Sequence, residues 1–517
     1  MIEPRKIKLM SNLLNKSEIR AVAEQLIFPN TAFINGKFGA AKSGKTFLTI
    51  NPATGETIGQ IAACDAADVD LAVEKGRKAF ASGCWSKMHP TDRKNIMIKL
   101  AKLMTRHRNE LAVLESLESG KPIKDCIEID VPETINCLVW HAEAADKIYD
   151  QISPSGDGAV GMIVREPAGV VACVLPWNFP LMMLAWKMGP ALASGNSVIV
   201  KPAELTSMSA LKVAELASEA GIPDGVFQVV PGLGESAGQA IGRHQDIDVV
   251  SFTGSTEIGK RFLEYSAQSN LKRVTLECGG KNPSIVLKDA KNLDDIARHV
   301  VQGAFWNMGQ NCTANSRLIV HKKIHDDLVD RIIDRTADWR VGDPLDPANA
   351  LGAIVSQEQF DKINGFIDGA KKKGVSLLNP TQEKHDPKGL FISPKIFGDV
   401  KPDMDIAIQE IFGPVMAIMP VGSDQEAINL ANQTQYGLQA SLFTSDVARA
   451  HIFARQLEAG TVSVNCYSEG DITTPFGGYK QSGFGGRDNS LMAHDQYVQT
   501  KTIWVNTSED HIDEDIG

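Results

Sequence analysis

The chain lacks the cysteine spacing that a disulfide framework or a zinc site would need. Its 517 residues include eight cysteines, and no two of them form a CxxC pair. Scattered thiols of this kind are typical of reduced, cytoplasmic proteins. The sequence therefore predicts a cytoplasmic protein without structural disulfides or a metal site. The cysteines stand at positions 64, 84, 126, 137, 173, 278, 312 and 466.

Long apolar runs and an excess of positive charge are also missing. The longest apolar runs, such as Gly169 to Leu175, are far too short to span a bilayer. The first residues, Met1 to Lys6, have neither the apolar core nor the cleavage site of a secretory signal. Acidic residues outnumber basic ones by 63 to 53, which gives a net charge of −10. We therefore expect no membrane and no nucleic-acid partner.

The residues that are present describe a soluble α/β protein. Hydrophobic residues make up 43% of the chain and charged residues 22%, and 517 residues predict roughly two to four domains. Short apolar strands alternate with helices such as Ser207 to Ala220 and Ser236 to Arg243. This alternation predicts a mostly parallel, doubly wound sheet. Its strands are predicted at Val170–Leu175, Ser197–Val200, Val226–Val230, Asp248–Phe252 and Arg273–Glu277.

A second α/β domain and a small arm are predicted further along the chain. The alternation resumes with the strand Leu318–Val320 and the helix Asp424–Asn432. The strand-like segments Met162–Arg165 and Val498–Val505 fit neither series, and we expect them to form an arm that pairs with a partner subunit. The predicted fold class is therefore α/β, with two doubly wound domains and a small β oligomerisation arm.

A thiol and a carboxylate stand where a catalytic pair would be expected. Cys312 follows a glycine turn at the end of an amphipathic helix, and Glu277 ends a β-branched strand before Gly279-Gly280. Taken alone, Cys312 would more often be an inert buried thiol. No histidine lies beside it in sequence, so a cysteine hydrolase lacks support. A thiol nucleophile with a carboxylate base and nucleotide signals upstream favours covalent aldehyde oxidation.

Two glycine turns suggest a nucleotide site. The segment from Gly232 to Gly238 follows a strand and opens a helix, but its GxGxxxG spacing is one residue longer than the dinucleotide fingerprint. Gly254 to Lys260 matches GxxxxGK, yet Arg261 replaces the hydroxyl residue that a P-loop needs for magnesium. What remains is a glycine turn at a helix N-terminus, which suits a pyrophosphate. An ordinary strand-to-helix turn is an alternative for the first segment.

Two further stretches end predicted strands. Lys201 and Glu204 could hold a ribose by its hydroxyl groups, although a surface loop is the simpler interpretation. Asn178 lies between two prolines and two aromatic residues, where it could donate to an oxyanion or only complete a rigid turn.

Together these stretches resemble the aldehyde dehydrogenase superfamily over nearly the whole chain, from about Phe33 to Trp504. The resemblance rests on seven motifs in the family's order: Pro-Trp-Asn-Phe-Pro, Lys-Pro-Ala-Glu, Phe-Thr-Gly-Ser-Thr, Glu-Cys-Gly-Gly-Lys, Gly-Gln-Asn-Cys, Glu-Ile-Phe-Gly-Pro and Pro-Phe-Gly-Gly. It implies that Cys312 is the nucleophile, that Glu277 is the general base, and that Asn178 with the Cys312 N–H stabilises the oxyanion. Cys278 departs from the family pattern, which usually has leucine after the glutamate.

The resemblance also implies a cofactor, an acyl acceptor and an assembly. NAD is the expected cofactor, because Glu204 near the adenosine ribose would repel a 2′-phosphate, although Lys201 could partly offset that repulsion. Water is the expected acyl acceptor, since branches that use coenzyme A generally lack the base. A homodimer or homotetramer is expected. The residues at cofactor-contacting positions are Trp177, Lys201, Glu204, Gly232, Gly254, Ser255, Glu410 and Phe412.

The same resemblance divides the chain into segments. We predict a leader at 1–30, a dinucleotide-binding domain at 31–150 and 167–280, a catalytic domain at 281–490, the arm at 151–166 and 491–507, and a disordered acidic tail at 508–517.

The substrate is predicted from the pocket that the family would build. Aromatic walls suit an aliphatic chain, and Glu469 and Asp471 near the mouth would favour an amine or guanidinium at its far end, although a solvated acidic loop is the alternative. The stretch from Glu469 to Gly483, with Asp488, Ser490 and Leu491, resembles the polyamine-linked branch of the family. That branch oxidises γ-glutamyl-γ-aminobutyraldehyde and related aminoaldehydes. The alternatives are a general aliphatic or betaine-type aldehyde dehydrogenase, a cysteine hydrolase, and a catalytically silent binding protein. The predicted pocket residues are Phe179, Met183, Trp186, Trp306, Asn311, Thr313, Glu469, Asp471 and Phe476.

Overall fold

The computed structural model describes residues 14–380 and 388–507 of the chain. The predicted acidic tail, 508–517, and the first part of the predicted leader, 1–13, lie outside the described residues.

The strands are short and most of them are buried. In chain order they are β1 (Ala32–Ile34), β2 (Lys37–Gly39), β3 (Thr46–Ile50), β4 (Thr57–Ala62), β5 (Gln151–Ser153), β6 (Ala159–Pro167), β7 (Val170–Val174), β8 (Ser197–Lys201), β9 (Phe227–Val229), β10 (Val249–Thr253), β11 (Arg273–Glu277), β12 (Pro283–Val286), β13 (Arg317–His321), β14 (Ser376–Leu377), β15 (Lys395–Gly398), β16 (Val415–Val421), β17 (Gln439–Phe443), β18 (Thr461–Val464), β19 (Gly483–Phe484) and β20 (Val498–Asn506).

The helices alternate with these strands through most of the chain. In chain order they are α1 (Lys16–Gln25), α2 (Ala66–Ser82), α3 (Pro90–Arg106), α4 (Arg108–Ser119), α5 (Ile123–Asp125), α6 (Val131–Ala144), α7 (Pro180–Ala193), α8 (Met208–Ala220), α9 (Gln239–Arg243), α10 (Thr256–Ala267), α11 (Leu293–Phe305), α12 (His325–Thr336), α13 (Gln357–Lys372), α14 (Asp405–Ile408), α15 (Asp424–Asn432) and α16 (Val447–Gln456). Segments Cys126–Asp130 and Gly234–Gly238 are π-helical, and Trp306–Gly309, Lys322–Ile324, Lys480–Ser482 and Leu491–Tyr497 are 3₁₀-helical.

The first sheet has eight strands in the order β19-β11-β10-β7-β8-β9-β1-β2. Strands β7 to β11 are parallel to one another, and β7, β8 and β10 are buried along their whole length. Runs such as Val-Val-Ala-Cys-Val in β7 are apolar at every position because helices cover both faces of a parallel sheet. From β7 the chain adds β8 and β9 on one side and then β10 and β11 on the other. The carboxyl ends of β7 and β10 therefore border a topological switch point, where α/β proteins bind ligands.

The second sheet has seven strands in the order β14-β15-β16-β13-β12-β17-β18. All of them except β14 run parallel. The short strand β19 lies inside the predicted catalytic segment, 281–490, but pairs with β11 of the first sheet through Leu276 and Phe484. The chain thus returns to the first sheet before the predicted boundary at residue 490.

The predicted arm segments pair with each other within one chain. Strand β20 runs antiparallel to β6 from Val498 opposite Pro167 to Asn506 opposite Ala159, and β5 completes a three-stranded sheet. Apolar side chains on this sheet face outward, and Trp504 is 63% exposed. Pairing of the arm with a second subunit remains a prediction.

These sheets confirm the predicted fold class: an α/β chain with two largely parallel sheets and a small separate β sheet. In the part of the chain that the structure describes, no helix combines the length and the apolar character needed to cross a bilayer.

Candidate active site

The loop that carries Cys312 is shaped by three consecutive residues with left-handed backbone. Helix α11 ends at Phe305, and Asn307, Met308 and Gly309 then have φ values of 53°, 56° and 66°. A Cβ at Gly309 would lie 2.3 Å from the Gly413 carbonyl oxygen, so only glycine fits. Such backbone is uncommon outside glycine and persists where the surroundings hold it in place.

Two asparagine side chains hold this loop in place. Asn282 Nδ2 donates to the carbonyl oxygens of Cys312 at 2.7 Å and Ala314 at 3.2 Å. Asn307 Nδ2 donates to the carbonyl oxygens of Asn178 at 3.1 Å and Gln310 at 3.0 Å. Neither asparagine was predicted from the sequence. Their signal was weak, since an asparagine next to a glycine motif is common in ordinary turns.

Asn178 lies beside the loop that carries Cys312, the predicted nucleophile, and we call this segment the nucleophile loop. It follows β7, is buried, and donates from Nδ2 to the Gln310 carbonyl oxygen at 3.1 Å. A side-chain amide has two donor hydrogens, so one is left for a second acceptor. Asn178 and Cys312 are thus joined through Gln310, two residues before the thiol.

Glu277 ends β11, opposite Thr253 of β10. Its side chain is buried, and Oε2 has no hydrogen-bond partner among the described residues. Burial raises the pKa of this carboxyl well above its usual range, and the Asp488 carboxylate raises it further, whereas Lys187, Arg487 and the Gly478 amide act in the opposite direction. A buried carboxyl group with a raised pKa and one oxygen without a partner is a candidate general base.

The Cys312 thiol is half-buried and faces negative charge. Burial raises its pKa well above the usual range, and the carboxylates of Glu469, Glu410 and Glu277 raise it further. The thiol therefore needs help from a ligand or a base to reach its nucleophilic, ionised form.

Two adjoining cavities lead to the thiol. The inner cavity reaches Cys312 and is lined by Phe179, Met182, Met183, Trp186, Thr253, Glu277, Cys278, Asn311, Cys312, Glu469, Phe476 and Asp488. The outer cavity is lined by Ile129, Glu133, Cys137, Met182, Trp186, Gln302, Trp306, Tyr467, Glu469, Gly470, Asp471, Ile472 and Asn489. Met182, Trp186 and Glu469 belong to both, and we call these three residues the neck.

Most of the predicted pocket residues line one of these cavities. Thr313 is the exception, because it is fully buried and lines neither. Its Oγ1 bonds instead to Asn311, Tyr467 and Glu469. Met182, Tyr467 and Glu133 were not predicted, because their approach to the site depends on how separate segments pack.

Aromatic rings form the walls of the inner cavity. Trp186 packs edge-on against Phe476 with ring centroids 5.0 Å apart, and Phe179 lies 5.3 Å from Trp306. The Lys121 ammonium lies 4.0 Å from the centroid of the Phe179 ring. That lysine is buried between Glu115, at 3.1 Å, and Asp130. The charged cluster of Lys121, Glu115 and Asp130 therefore lies behind the Phe179 ring and contacts it through the Lys121 ammonium.

The loop after β18 places two carboxylates at different depths. Glu469 Oε1 accepts hydrogen bonds from Asn311 Nδ2 at 3.2 Å and from Thr313 Oγ1. Asp471 accepts from the N–H and hydroxyl of Thr473 and lines only the outer cavity. Glu469 is thus tied to the nucleophile loop, whereas Asp471 belongs to the mouth.

A cation and a carboxylate stand at the carboxyl end of β8. Lys201 Nζ donates to the Pro202 carbonyl oxygen at 3.0 Å and lies 3.4 Å from Glu204, whose side chain is 44% exposed. Burial lowers the pKa of Lys201, and Glu204 partly opposes this shift. A Cβ at Gly238, in the neighbouring π-helical turn, would lie 3.7 Å from Lys201 Cε. The pair and the turn share one edge of the switch-point crevice.

The two predicted glycine turns differ in what they do. A Cβ at Gly232 would lie 2.6 Å from the Cys64 carbonyl oxygen, so this glycine allows close backbone packing. Gly234 has open space where a side chain would be. Ser255 accepts from the Ile258 N–H at 3.3 Å and caps α10, directly after Gly254. The free N–H groups of α10 therefore open toward the crevice, where they would bind an anion.

Glu410 and Phe412 connect this crevice with the nucleophile loop. Glu410 Oε1 accepts from the Gly280 N–H at 2.9 Å, and Phe412 packs edge-on against Trp177 with ring centroids 5.1 Å apart. Phe412 has a φ of 58° and precedes Gly413, against which Gly309 packs. All eight predicted cofactor positions thus lie along the carboxyl edge of the first sheet or on the segment that contacts it.

Comparisons with known proteins give the family. The family model described as "Aldehyde dehydrogenase family" matches residues 38–503. An aminoacetaldehyde dehydrogenase of Pseudomonas aeruginosa is 54% identical over 499 residues, 96% of this chain and 100% of that protein. The NADP/NAD-dependent aldehyde dehydrogenase PuuC of Escherichia coli is 44% identical over 483 residues, 93% of this chain and 97% of that protein.

Solved structures agree with the sequence relatives. A γ-glutamyl-γ-aminobutyraldehyde dehydrogenase of Burkholderia cenocepacia matches with a TM-score of 0.93 and 44% identity, over 96% of this chain and 100% of that one. An indole-3-acetaldehyde dehydrogenase of P. syringae in complex with NAD⁺ matches with a TM-score of 0.94 and 44% identity, over 95% and 100%. The chain therefore belongs to the aldehyde dehydrogenase family and is an enzyme that oxidises aldehydes.

Proposed function

We propose that this enzyme oxidises aminoaldehydes to the corresponding carboxylic acids with NAD, through a thioester on Cys312. The proposal depends on one observation. Cys312 and Glu277 line the inner of two adjoining cavities, and carboxylates line both the neck and the outer cavity. The predicted alternatives, a cysteine hydrolase and a silent binding protein, have no comparable support.

NAD fits the crevice at the switch point. Lys201 and Glu204 would hold the adenosine ribose, the N-terminus of α10 would hold the pyrophosphate, and Glu410, Phe412 and Trp177 would border the nicotinamide half. The partly exposed Glu204 carboxylate would accept bonds from the 2′-hydroxyl and repel a 2′-phosphate. When bound, the oxidised nicotinamide supplies the hydride acceptor.

The first chemical step makes the bond between Cys312 Sγ and the aldehyde carbon. The negative charge then develops on the former carbonyl oxygen. The second hydrogen of Asn178 Nδ2 and the Cys312 N–H would stabilise it, and one such donor contributes roughly 2.7–4 kcal/mol in acyl-transfer enzymes. Asn307 has a positioning role, because it holds the Asn178 backbone against the nucleophile loop.

Loss of a hydride from this adduct would leave a thioester on Cys312, and the last step hydrolyses that thioester. Glu277 would take a proton from a water molecule that attacks the acyl carbon, and its unpartnered Oε2 is available for this bond. Because burial raises the pKa of Glu277 well above its usual range, its carboxylate form increases as the pH rises, and hydrolysis should speed up with it. Water is the acyl acceptor in this scheme.

An aminoaldehyde substrate is favoured by the charge of the cavities. Glu133 and Asp471 line the outer cavity and Glu469 the neck, while the inner cavity has aromatic and aliphatic walls with Glu277 and Asp488 among its lining residues. A substrate with a cationic group at one end and a short apolar chain matches this distribution of charge. The names of two relatives, aminoacetaldehyde dehydrogenase and γ-glutamyl-γ-aminobutyraldehyde dehydrogenase, point the same way. Breakdown of polyamines is a source of such aldehydes, and general aliphatic or betaine-type aldehydes are the alternative substrates.

We also propose that the enzyme is a homo-oligomer, a dimer or tetramer, joined through the arm sheet. Strand β20 lies at an edge of this sheet, where a strand of a second subunit could pair, and apolar side chains of the sheet, Trp504 among them, are exposed in the single chain.

A panel of aldehydes tests the substrate proposal. Neutral, amino, guanidino, trimethylammonio and γ-glutamyl-amino aldehydes of matched length are compared by the NADH absorbance that each produces. We expect the highest kcat/KM for aminoaldehydes, and a rise in their KM in Asp471→Asn by a factor that corresponds to about 1 kcal/mol or less, since charges at the rim are screened. Neutral aldehydes serve as the control for that variant. If neutral aldehydes have a much higher kcat/KM than aminoaldehydes in the wild-type enzyme, the aminoaldehyde proposal is wrong, but the assignment as an aldehyde dehydrogenase is unaffected.

A further inference from the structure

Glu469 is built into the loop of the nucleophile. Its Oε1 accepts from Asn311 Nδ2 at 3.2 Å, from Thr313 Oγ1, and from the Tyr467 hydroxyl at 3.3 Å. Asn311 and Thr313 are the residues on either side of Cys312. Since adjacent Cα atoms are only about 3.8 Å apart, Glu469 is held within a few bond lengths of the thiol's own backbone.

The other oxygen of Glu469 has no such partner. No described residue donates a hydrogen bond to Oε2, whereas Oε1 takes three. Glu469 also lines both cavities, and the substrate passes it at the neck on its way to Cys312. One carboxylate oxygen is thus fixed by the protein, and the other is left for a ligand.

The charges that act most strongly on Cys312 are negative. They are the carboxylates of Glu469, Glu410 and Glu277, and all three oppose ionisation of the thiol. Tyr467, which packs beside them, is neutral, because burial and Glu469 raise the pKa of its hydroxyl well above the usual range. A cation bound at Glu469 would offset the largest of these charges and so favour ionisation of the thiol.

We propose that the ammonium group of an aminoaldehyde binds Glu469 at the neck and thereby activates Cys312 for attack on that same substrate. This inference rests on the proposed function and adds to it a substrate-assisted step and a length limit. Because Glu469 is tied to the residues that flank Cys312, the ammonium and the aldehyde carbon must be separated by only a few methylene groups. Longer substrates would place their ammonium at Glu133 or Asp471 and lose the activation.

The proposed activation is a proton transfer from the Cys312 thiol, which is followed by addition of the thiolate to the aldehyde. An ammonium at Oε2 forms an ion pair with Glu469 and cancels the field of that carboxylate at the thiol. The S–H bond of Cys312 then breaks, the proton passes to a buffer base through the open neck, and the electron pair stays on sulfur as the thiolate. No oxidant or further reactant is needed until the hydride leaves.

Alkylation of Cys312 tests this step without any aldehyde oxidation. The rate of labelling by iodoacetamide at pH 7 is measured by mass spectrometry, with and without ethylammonium chloride, and potassium chloride at equal ionic strength is the control. We expect ethylammonium to speed labelling of Cys312 by about tenfold, the change in thiolate population that one pKa unit produces. The same salt should not speed labelling of Cys84, an exposed cysteine.

Two variants locate the effect. In Glu469→Gln the basal labelling rate should already be raised and ethylammonium should add nothing, since the amide keeps an acceptor for Thr313 but carries no charge. In Asp471→Asn the acceleration should persist, because Asp471 makes no bond to Asn311 or Thr313. Should Glu469→Gln not fold, the comparison of ethylammonium with potassium in the wild-type enzyme still decides.

Two results would overturn the inference: an unchanged or slower labelling in the wild-type enzyme, or an acceleration that survives in Glu469→Gln. The proposed function is tested separately, since aldehyde oxidation with NAD can hold while ethylammonium has no effect on labelling. The opposite result is also possible to distinguish. If ethylammonium speeds labelling but the enzyme prefers neutral aldehydes, Glu469 binds a cation and the aminoaldehyde proposal is wrong.

Discussion

The two sides of the active site are held in place by different means. On the first sheet, Lys201 and Glu277 are the last residues of β8 and β11, and their backbone is bonded to neighbouring strands. On the other side, Cys312 and Glu469 lie in irregular loops that depend on side-chain amides and hydroxyls. A strand end is positioned by many backbone bonds, so it tolerates the loss of one. A loop held by a few side chains does not, and its geometry should respond to single substitutions.

The largest effect is expected from removing the sulfur atom of Cys312, on the loop side of the active site. In Cys312→Ala we expect oxidation to fall by at least about ten-thousand-fold, the scale on which loss of a covalent nucleophile acts. Binding of NAD, followed by fluorescence titration, should be unchanged because the crevice lies along the strand ends of the first sheet. Substantial remaining activity would show that another group forms the covalent bond.

Replacement of the base should separate the two chemical steps. In Glu277→Gln we expect a burst of NADH close to one per active site, with steady-state turnover lower by about a hundredfold to ten-thousandfold. Since the pKa of Glu277 is raised by burial, the carboxylate form increases as pH rises, and wild-type steady-state turnover should climb with pH well above the usual glutamate range. The variant should lack this climb while its burst remains. Equal loss of burst and turnover would contradict a role confined to thioester hydrolysis.

A substitution in the nucleophile loop sharpens the comparison with the strand ends. Asn307→Gly keeps the left-handed backbone but removes the two bonds to Asn178 and Gln310. We expect kcat to fall by about tenfold to a hundredfold with a smaller change in KM, because each buried bond that is lost costs about 1–2 kcal/mol and Asn178 acts on the transition state.

Asn292→Gly is the matched control for that variant. Asn292 also has left-handed backbone, with φ of 58°, but it makes no side-chain cap bond and lies at the far end of α11. Its steady-state kinetics should equal those of the wild-type enzyme. If the two variants behaved alike, the positioning role of Asn307 would be wrong.

The parts of the site that follow strands were predictable, and the parts that depend on packing were not. Glu277, Lys201 and Ser255 come directly at the ends of apolar strands, and parallel strands bring their carboxyl ends to one edge. Thr313 shows the limit: its place next to Cys312 predicted a wall residue, yet its side chain turns inward to Glu469. Adjacency in sequence does not determine which way a loop side chain points.

The sequence by itself determined the α/β fold and the family, and it indicated Cys312 and Glu277 as the candidate nucleophile and base, because strand periodicity and motif order are local properties of the chain. Only the tertiary structure decided the contacts between distant segments. Asn282 and Asn307 support the nucleophile loop, Lys121 lies beneath Phe179, and Glu469 joins the two cavities, although it stands 157 residues after Cys312. Such contacts arise when the elements around the two large sheets and the loop after β18 pack together, and no local pattern in the chain encodes them.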